Sequence, residues 1–536
     1  MCGEEFLDVN LLTFKRKTRH IPRLMCSKRT TFGVLVIIAI LFLLRLPAFW
    51  TPILDVDEAQ FAGFADWLLH GGLPYVSSLD TKPLGIYWFF AAIFAVFGRN
   101  NMIAVHLVTA LWVGVTALFC YFSARNVYSK RAGFLAALFY VVFSTVYIPK
   151  FISTSIVVIM MLPLTASIYA AIVWDRSEKM RWICLSGVFW GIASLFKYQA
   201  GINLVVMAVY LLVLRPFFYD RKIRWIEFSF FCLGGSLVGA AFAGYLFYAG
   251  VWGEFVRWSL SGSGAYIGAA SMLTDFWHNL ILRGGTFIAS SLLIWVLTSI
   301  AAVRIVRGLL KLSPRGESSE VLLLLWFLLS MVAVSAGGKF YGHYFIQLLP
   351  GMCILAGGVG SRFSKKFLPL LVACILIPAT GFFIARLYAG KIYAAVGEED
   401  PSVYESIAEY ISSNTKEDDK IFVWGFATPI YTLSNRLGAS RFLWCDWLTG
   451  RVSGTQSAKD PDFRTDSFIA ADSWGLFFED MRVNKPVYFI DTSPGNHHDY
   501  GKYPINKFPN LLNYVNENYL FEITIAGADI YRRRMP

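Results

Sequence analysis

Charged residues are scarce in this chain, 16% of 536 against about 25% in an ordinary globular domain. Hydrophobic residues make up 56% and aromatics 17%, with a mean hydropathy of +0.53. A soluble, charge-coated fold is excluded for most of the length, and a polytopic membrane protein is implied. The excess of 48 basic over 36 acidic residues does not point to nucleic acid. The basic residues fall in short clusters between apolar runs, the pattern of cytoplasmic loops under the positive-inside rule, and no nucleic-acid partner is expected.

Other absences narrow the chemistry. The eight cysteines (Cys2, Cys26, Cys120, Cys184, Cys232, Cys353, Cys374 and Cys445) show no metal-ligand spacing, and only Cys445 lies in a polar region. They read as small apolar packers rather than a zinc site or a disulfide framework. There is no Walker loop, dinucleotide fingerprint, His-Glu-x-x-His or Gly-x-Ser-x-Gly, so nucleotide hydrolysis and serine acyl transfer have no support. Low-complexity segments and 20 to 50 residue repeats are also missing.

What is present divides into three parts: a basic N-terminus, 1–31; a membrane domain, 32–388; and a polar domain, 389–536. Lys15, Arg16, Lys17, Arg19, Arg23, Lys28 and Arg29 precede the first apolar run and place the N-terminus in the cytoplasm. That run ends in Arg45-Leu46-Pro47 without a small-residue cleavage site and reads as an uncleaved anchor. Spans are expected near 32–50, 102–123, 132–149, 155–174, 182–197, 199–214, 226–250, 281–301, 320–337, 345–361 and 367–387, about 11 transmembrane helices. The segment 83–97 is apolar but about fifteen residues long, short of the roughly twenty a crossing needs. Reading it as non-spanning sends every later basic cluster to the cytoplasm and leaves the C-terminal domain outside.

Beyond 389 the apolar runs shrink to strand length at 421–424, 486–490 and 521–525, with helical periods at 402–412 and 510–518, which predicts a soluble α/β domain. The whole is expected to be a multi-pass protein of the cell (inner) membrane.

The first outer loop, 51–101, concentrates candidate chemistry. Asp55, Asp57 and Glu58 place three carboxylates in four positions ahead of the helical period 58–69, which suits a helix lying on the bilayer surface. Their plain role is to cap that helix; their chemical role would be as a general base or metal ligand. Asp80 and Lys82 follow, directly before Pro83. Lys197 and Lys339 also stand at outer span mouths, where lysines are disfavoured; they either snorkel or meet an anionic ligand. His343 and Tyr344 precede Pro350, and His497-His498 lies in a turn-rich, surface-like loop near Asp491 and Asp499. Either histidine group has some metal- or phosphate-binding chemistry.

Asp57-Glu58-Ala59 in the first outer loop, Asp80-x-Lys82-Pro83-Leu84-x-x-Tyr87-Trp88, Gly187 to Gly201 around Lys197, and His343-Tyr344 before Pro350 together resemble the GT-C superfamily of polyprenyl-phosphate-sugar-dependent glycosyltransferases. The likeness is to the protein O-mannosyltransferase and lipid A aminoarabinose transferase branch. The resemblance covers about residues 40–360 and implies inverting transfer of a hexose or pentose from a polyprenyl-phosphate sugar donor to an extracytoplasmic acceptor, whether glycolipid, polysaccharide or protein. On the matching positions Asp57 would be the base and Glu58 its helper. Lys82 and Tyr344 would hold the donor phosphate, with Asp80, Lys197, Lys339 and His343 also binding substrate.

Two departures stand out. The region after the third span offers Lys150 where relatives carry a second acid, which leaves a divalent metal ion open, and Gln60 and Phe61 stand where some relatives have an arginine. A flippase or transporter would place charges midway through spans, and few are found there. A non-catalytic scaffold with an outer binding domain is the other alternative.

Overall fold

The computed structural model describes residues 28–145, 152–220, 222–311, 318–387, 403–455, 460 and 462–534. Lys150 and the 388/389 domain boundary lie outside them. Among the described residues the expected spans fall on helical segments, and eight helices, not eleven, are long and apolar enough to cross a membrane. The expected span 281–301 is displaced: its principal helix is Leu292–Leu310, beginning after Ser291, whose hydroxyl bonds back to the Phe287 carbonyl at 2.5 Å. It runs on past Arg304, which pairs with Glu320 at 2.5 Å. Basic residues in a last helical turn suit the helix dipole, so the charge that marks a span's end in sequence need not end the helix.

The bundle has two chemically distinct ends. At one, the fully buried Arg215 bonds Asp175 at 2.5 Å, and the hydroxyls of Ser318 and Ser319 donate to the same carboxylate at 2.6 and 2.8 Å. At the other end lie Asp57, Lys82, Lys197 and Lys339. Between them the helices α6 (Ile156–Ser177), α7 (Met180–Ser194) and α9 (Trp225–Tyr248) pack in sequence. The α7–α9 crossing is tight: a Cβ on Gly187 would stand 1.9 Å from the Phe231 carbonyl oxygen, and one on Gly234 2.1 Å from that of Cys184. Small residues let membrane helices approach to backbone contact, which explains why this stretch is glycine-rich.

The short apolar helix α3 (Gly85–Phe97) keeps both ends at the Asp57 end of the bundle. Its Gly85 N–H donates to the Leu195 carbonyl at 2.8 Å. Just past its other end Arg99 grips Asp66 with two bonds of 2.8 Å, and Asn100 bonds Asn435 of the C-terminal domain at 3.0 Å. Thirteen residues at 1.5 Å each reach only about 20 Å, so α3 lies along this end without crossing.

The C-terminal domain is a five-stranded sheet in the order β2-β1-β3-β5-β4. Its strands are β1 (Lys420–Trp424), β2 (Leu437–Gly438), β3 (Tyr488–Asp491), β4 (Tyr519–Ile525) and β5 (Ala528–Arg533). β1 pairs in parallel with β2 and β3, while β5 runs antiparallel between β3 and β4. β1, β3 and β4 coincide with the three expected strands, and the helices Val403–Ser413 and Pro509–Asn518 with the expected helical periods.

At the end of β3, Asp491 is 2% exposed and faces Asp529 across the ladder. Burial first, then Asp529, push its carboxyl up to about 6, against the bond from Ser493 N–H. A raised carboxyl contributes its stability below the unfolded value, about 4, and loses it as pH rises through 6. Asp491→Asn should therefore stabilise the protein by about 2–3 kcal/mol at pH 8, shrinking to about half of that at pH 5, readable in thermal unfolding of the full chain in detergent at the two pH values.

Candidate active site

The helix α2 (Val56–Leu69) carries the first acids. Asp55 is its N-cap, accepting from the Asp57 N–H at 3.0 Å, so one of the three carboxylates serves the helix as its plain role requires. α2 is not a helix exposed on one face to lipid or water. Residues 58–66 are all buried because the C-terminal domain covers the face that the membrane domain leaves open. Thr428 and Thr432 hydroxyls donate to the Val56 and Ala59 carbonyls at 3.2 and 3.3 Å, and Phe64 stacks on Tyr87 with centroids 3.8 Å apart. A sequence cannot show that a second domain covers a helix; amphipathic period alone reads the same for both settings.

Glu58 and Asp57, adjacent in sequence, point to different surroundings. Glu58 is completely buried. Its carboxylate accepts from the Leu54 N–H at 2.9 Å, lies 3.2 Å from His106 Nε2, and takes the Thr154 N–H at 2.5 Å. These bonds tie the loop before α2, the helix α4 (Met102–Val127) and the start of α6 together. Asp57 instead lies within electrostatic reach of Lys197, Tyr266, Tyr341 and Tyr344.

Lys82 comes to the same place. Asp80, 1% exposed, receives Lys82 Nζ at 2.9 and 3.0 Å, Gln60 Nε2 at 2.8 Å and the Tyr87 hydroxyl. The backbone behind it is pinned: Ser259 and Ser263 donate to the Thr81 carbonyl at 3.1 and 2.6 Å, and Tyr75 to that of Lys82 at 2.8 Å. Phe61 lies under the ammonium, 5.6 Å from ring centroid to Nζ. Thus Gln60 and Phe61, three and four positions after Asp57 on α2, hold the Asp80–Lys82 pair.

Lys197, in the turn between α7 and the helix α8 (Ile202–Val209), sits 3.8 Å above the Tyr344 ring. Burial, with Lys82 acting in the same direction and Asp57 opposing, pulls its pKa down to about 7. Lys339 forms a second wall. Its Nζ donates to Tyr266 Oη at 2.5 Å and to the Ser453 carbonyl at 2.7 Å, and burial lowers it to about 7 against the pull of Asp446. His343 stacks on Tyr341, centroids 5.9 Å apart, and meets Tyr344 edge-on.

The structure thus gathers Asp57, Lys82, Lys197 and Tyr344, with Lys339 and His343 on the far side of the same tyrosines. Sequence reading missed Tyr266, Tyr341 and Ser453. Tyrosines amid an aromatic-rich chain carry no signal, and a backbone carbonyl of another domain has none to give. His497, expected at the surface, is buried and its Nε2 is 2.8 Å from the Ala526 carbonyl.

Chemically, a carboxylate grouped with two lysines and hydroxyl donors in a partly buried site can take a proton from a nucleophile while the cations stabilise charge developing on a leaving phosphate. Among the described residues no group of three or more His, Cys, Asp or Glu is placed to hold a metal ion.

Comparison with known proteins bears on the fold. Residues 81–235 match the family of dolichyl-phosphate-mannose-protein mannosyltransferases. Over 126 residues the chain is 32% identical to an undecaprenyl phosphate-alpha-4-amino-4-deoxy-L-arabinose arabinosyl transferase of Pseudomonas fluorescens, a match spanning 22% of each protein. In three dimensions it superposes on ArnT of Cupriavidus metallidurans bound to undecaprenyl phosphate with a TM-score of 0.58 at 13% identity, covering 94% of this chain and 97% of that one. For the oligosaccharyltransferase AglB of Archaeoglobus fulgidus, in complex with an inhibitory peptide and a dolichol-phosphate, the TM-score is 0.52 at 12% identity, over 94% and 74%. The chain, a helical membrane bundle with a C-terminal sheet-containing domain, has the GT-C fold.

Proposed function

We propose that this protein is a membrane glycosyltransferase that moves a sugar from a polyprenyl-phosphate donor to an extracytoplasmic acceptor by inverting displacement. The observation that carries this reading is the convergence of Asp57, Lys82, Lys197 and Tyr344 at the end of the bundle opposite the Asp175–Arg215 cluster. Lys82, backed by Asp80, and Lys197 on Tyr344 hold the donor phosphate. Asp57 deprotonates the acceptor hydroxyl as it attacks the anomeric carbon; the carbon–oxygen bond to phosphate breaks on the opposite face, and the phosphate leaves with the electron pair. Glu58 acts as a positioning residue that fixes the head of α2. The N-terminus is cytoplasmic and the C-terminal domain lies outside.

Two measurements test the reading together. Purified protein should bind undecaprenyl phosphate, and Lys82→Ala should weaken that binding by tenfold or more, the loss of about 1.5–3 kcal/mol expected for a charge-assisted bond. Glycan mass spectrometry of cells with and without the protein should reveal one missing sugar. Unchanged glycans together with absent lipid binding would refute it.

A further inference from the structure

Besides covering α2, the C-terminal domain lays one stretch, 441–454, along the site from the Asp80–Lys82 loop to Lys339. Its first contact is with that loop: the Leu79 N–H donates to the Arg441 carbonyl at 3.0 Å. Further on, the partly exposed Trp447 packs edge-on against Trp258, with centroids 5.4 Å apart. It meets the Lys82 side at Gly262, where an added Cβ would lie 3.4 Å from the Trp447 ring and 3.5 Å from the Thr81 methyl. The last contacts are with the other wall. The Ser453 carbonyl accepts from Lys339 Nζ at 2.7 Å and from the Tyr341 hydroxyl at 3.1 Å. Gly454, with φ +74°, comes so close that a Cβ there would stand 1.8 Å from Tyr341 Oη.

Between these anchors the stretch carries Asp446 and Arg451. The short helix Asp446–Thr449 ends at Gly450 in the left-handed region, φ +69°, and the chain turns back so that Arg451 Nη1 lies 3.3 Å from both Asp446 oxygens. Tyr500 donates to Asp446 Oδ1 at 2.7 Å, and Arg451 Nη2 is fixed on the His498 carbonyl at 2.7 Å. Asp446 is also within electrostatic reach of Lys339 and Tyr266, and Tyr266 is within reach of Asp57 as well. Two carboxylates, one from each domain, therefore flank the same tyrosine. A carboxylate offers about four acceptor positions, more than Tyr500 and the long Arg451 contacts occupy. Asp446 keeps 16% of its side chain exposed where Arg451 keeps 4%.

We propose that 441–454 forms the acceptor side of the site, with Asp446 accepting hydrogen bonds from hydroxyls of a saccharide acceptor and Lys339 clamping this wall in place rather than binding the donor phosphate. The inference rests on the function proposed above and extends it from donor to acceptor. Arg451 compensates Asp446, so the pair offers fixed hydrogen-bond acceptors without net charge, and Trp447 beside it supplies an aromatic surface. A few placed polar groups amid aromatic side chains suit a neutral, hydroxyl-bearing ligand. A peptide would gain most by adding a strand to a free sheet edge. The strand that backs this stretch has none: the Cys445 N–H donates to the Gly425 carbonyl just past β1 at 3.0 Å, and β1 lies between β2 and β3.

The test uses the full chain in nanodiscs, with the glycolipid fraction of cells lacking the protein as acceptor probe and undecaprenyl phosphate as donor-side probe. Asp446→Asn should raise the acceptor KM about tenfold, as loss of a charged hydrogen bond does, with kcat moved less than about twofold and undecaprenyl phosphate binding unchanged. Lys339→Met should act in the same direction and Lys339→Arg should restore part of the loss; weakened lipid-phosphate binding in Lys339→Met would make it a donor ligand and overturn the clamp. An unchanged acceptor KM in folded Asp446→Asn, or an equal loss of lipid-phosphate binding, would overturn the acceptor wall. Should Asp446→Asn fail to fold, Gly454→Ala, which keeps the Asp446–Arg451 pair but collides with Tyr341, must show the raised KM in its place. Transfer to the protein fraction of those cells and not to the glycolipid fraction would overturn the saccharide. If the unaltered protein binds no undecaprenyl phosphate, the donor reading fails and hydrogen exchange decides the wall by itself: the glycolipid fraction should protect amides within 441–454, and absence of protection overturns it.

Discussion

Asp57→Asn should leave a folded, membrane-inserted protein whose transfer activity is lower by 10² to 10⁴-fold, the range expected when a positioned general base is removed. The substitution keeps the side chain's size. It also keeps the helix cap, since the bond to Asp55 comes from the Asp57 backbone N–H. What it removes is the negative charge that lies in reach of Lys197 and of Tyr266, Tyr341 and Tyr344. Binding of undecaprenyl phosphate should survive, because Lys82 remains anchored on Asp80 and an anionic donor gains from losing a nearby carboxylate. The check is threefold: the thermal transition in detergent, lipid-phosphate binding, and mass spectrometry of the acceptor glycan. Retained turnover in an intact protein would sink the assignment of Asp57 as base.

How much of this was legible beforehand follows from the range of each contact. Lys82 and Asp80 are two residues apart, and Gln60 and Phe61 lie one helical turn from Asp57, so the short-range half of the site can be read from spacing. The apolar runs and their basic flanks locate the spans, and the shortness of 83–97 foretells that α3 does not cross. Strands β1, β3 and β4 declare themselves by apolar, β-branched and aromatic runs. β5 does not, because Asp529, Arg532 and Arg533 interrupt its pattern. These charges are tolerated in a central strand because Arg532 reaches out to Glu522 at 2.8 Å and to the Tyr488 hydroxyl. Lys339 could be suspected as a cation at a span mouth. That it would be met by the Ser453 carbonyl, 114 residues away, depends on how the C-terminal domain docks, which no local pattern records.

The same limit applied to Glu58, and it gives the second large effect. Glu58→Ala should cost about 3–5 kcal/mol, a large share of the roughly 5–15 kcal/mol that holds an ordinary fold. The yield of folded protein should fall accordingly. The carboxylate accepts two backbone N–H groups, 4 and 96 residues distant, and lies 3.2 Å from the ring nitrogen of His106, 48 residues away. It also sits near the buried Arg45, which itself reaches the Ile152 carbonyl at 2.5 Å. Removing the acid orphans those donors and leaves a guanidinium in low dielectric without its counter-charge. Glu58→Gln should be milder but still destabilising: its amide turns one donor toward others and drops the charge that Arg45 needs. Lower melting temperature with normal activity per folded molecule would mark Glu58 as structural support for Asp57. An unchanged melting temperature with lost activity would instead return it to the chemistry. The two adjacent acids therefore separate cleanly in experiment, because one is surrounded by the protein's own N–H groups and the other by lysines and tyrosines arranged around a recess.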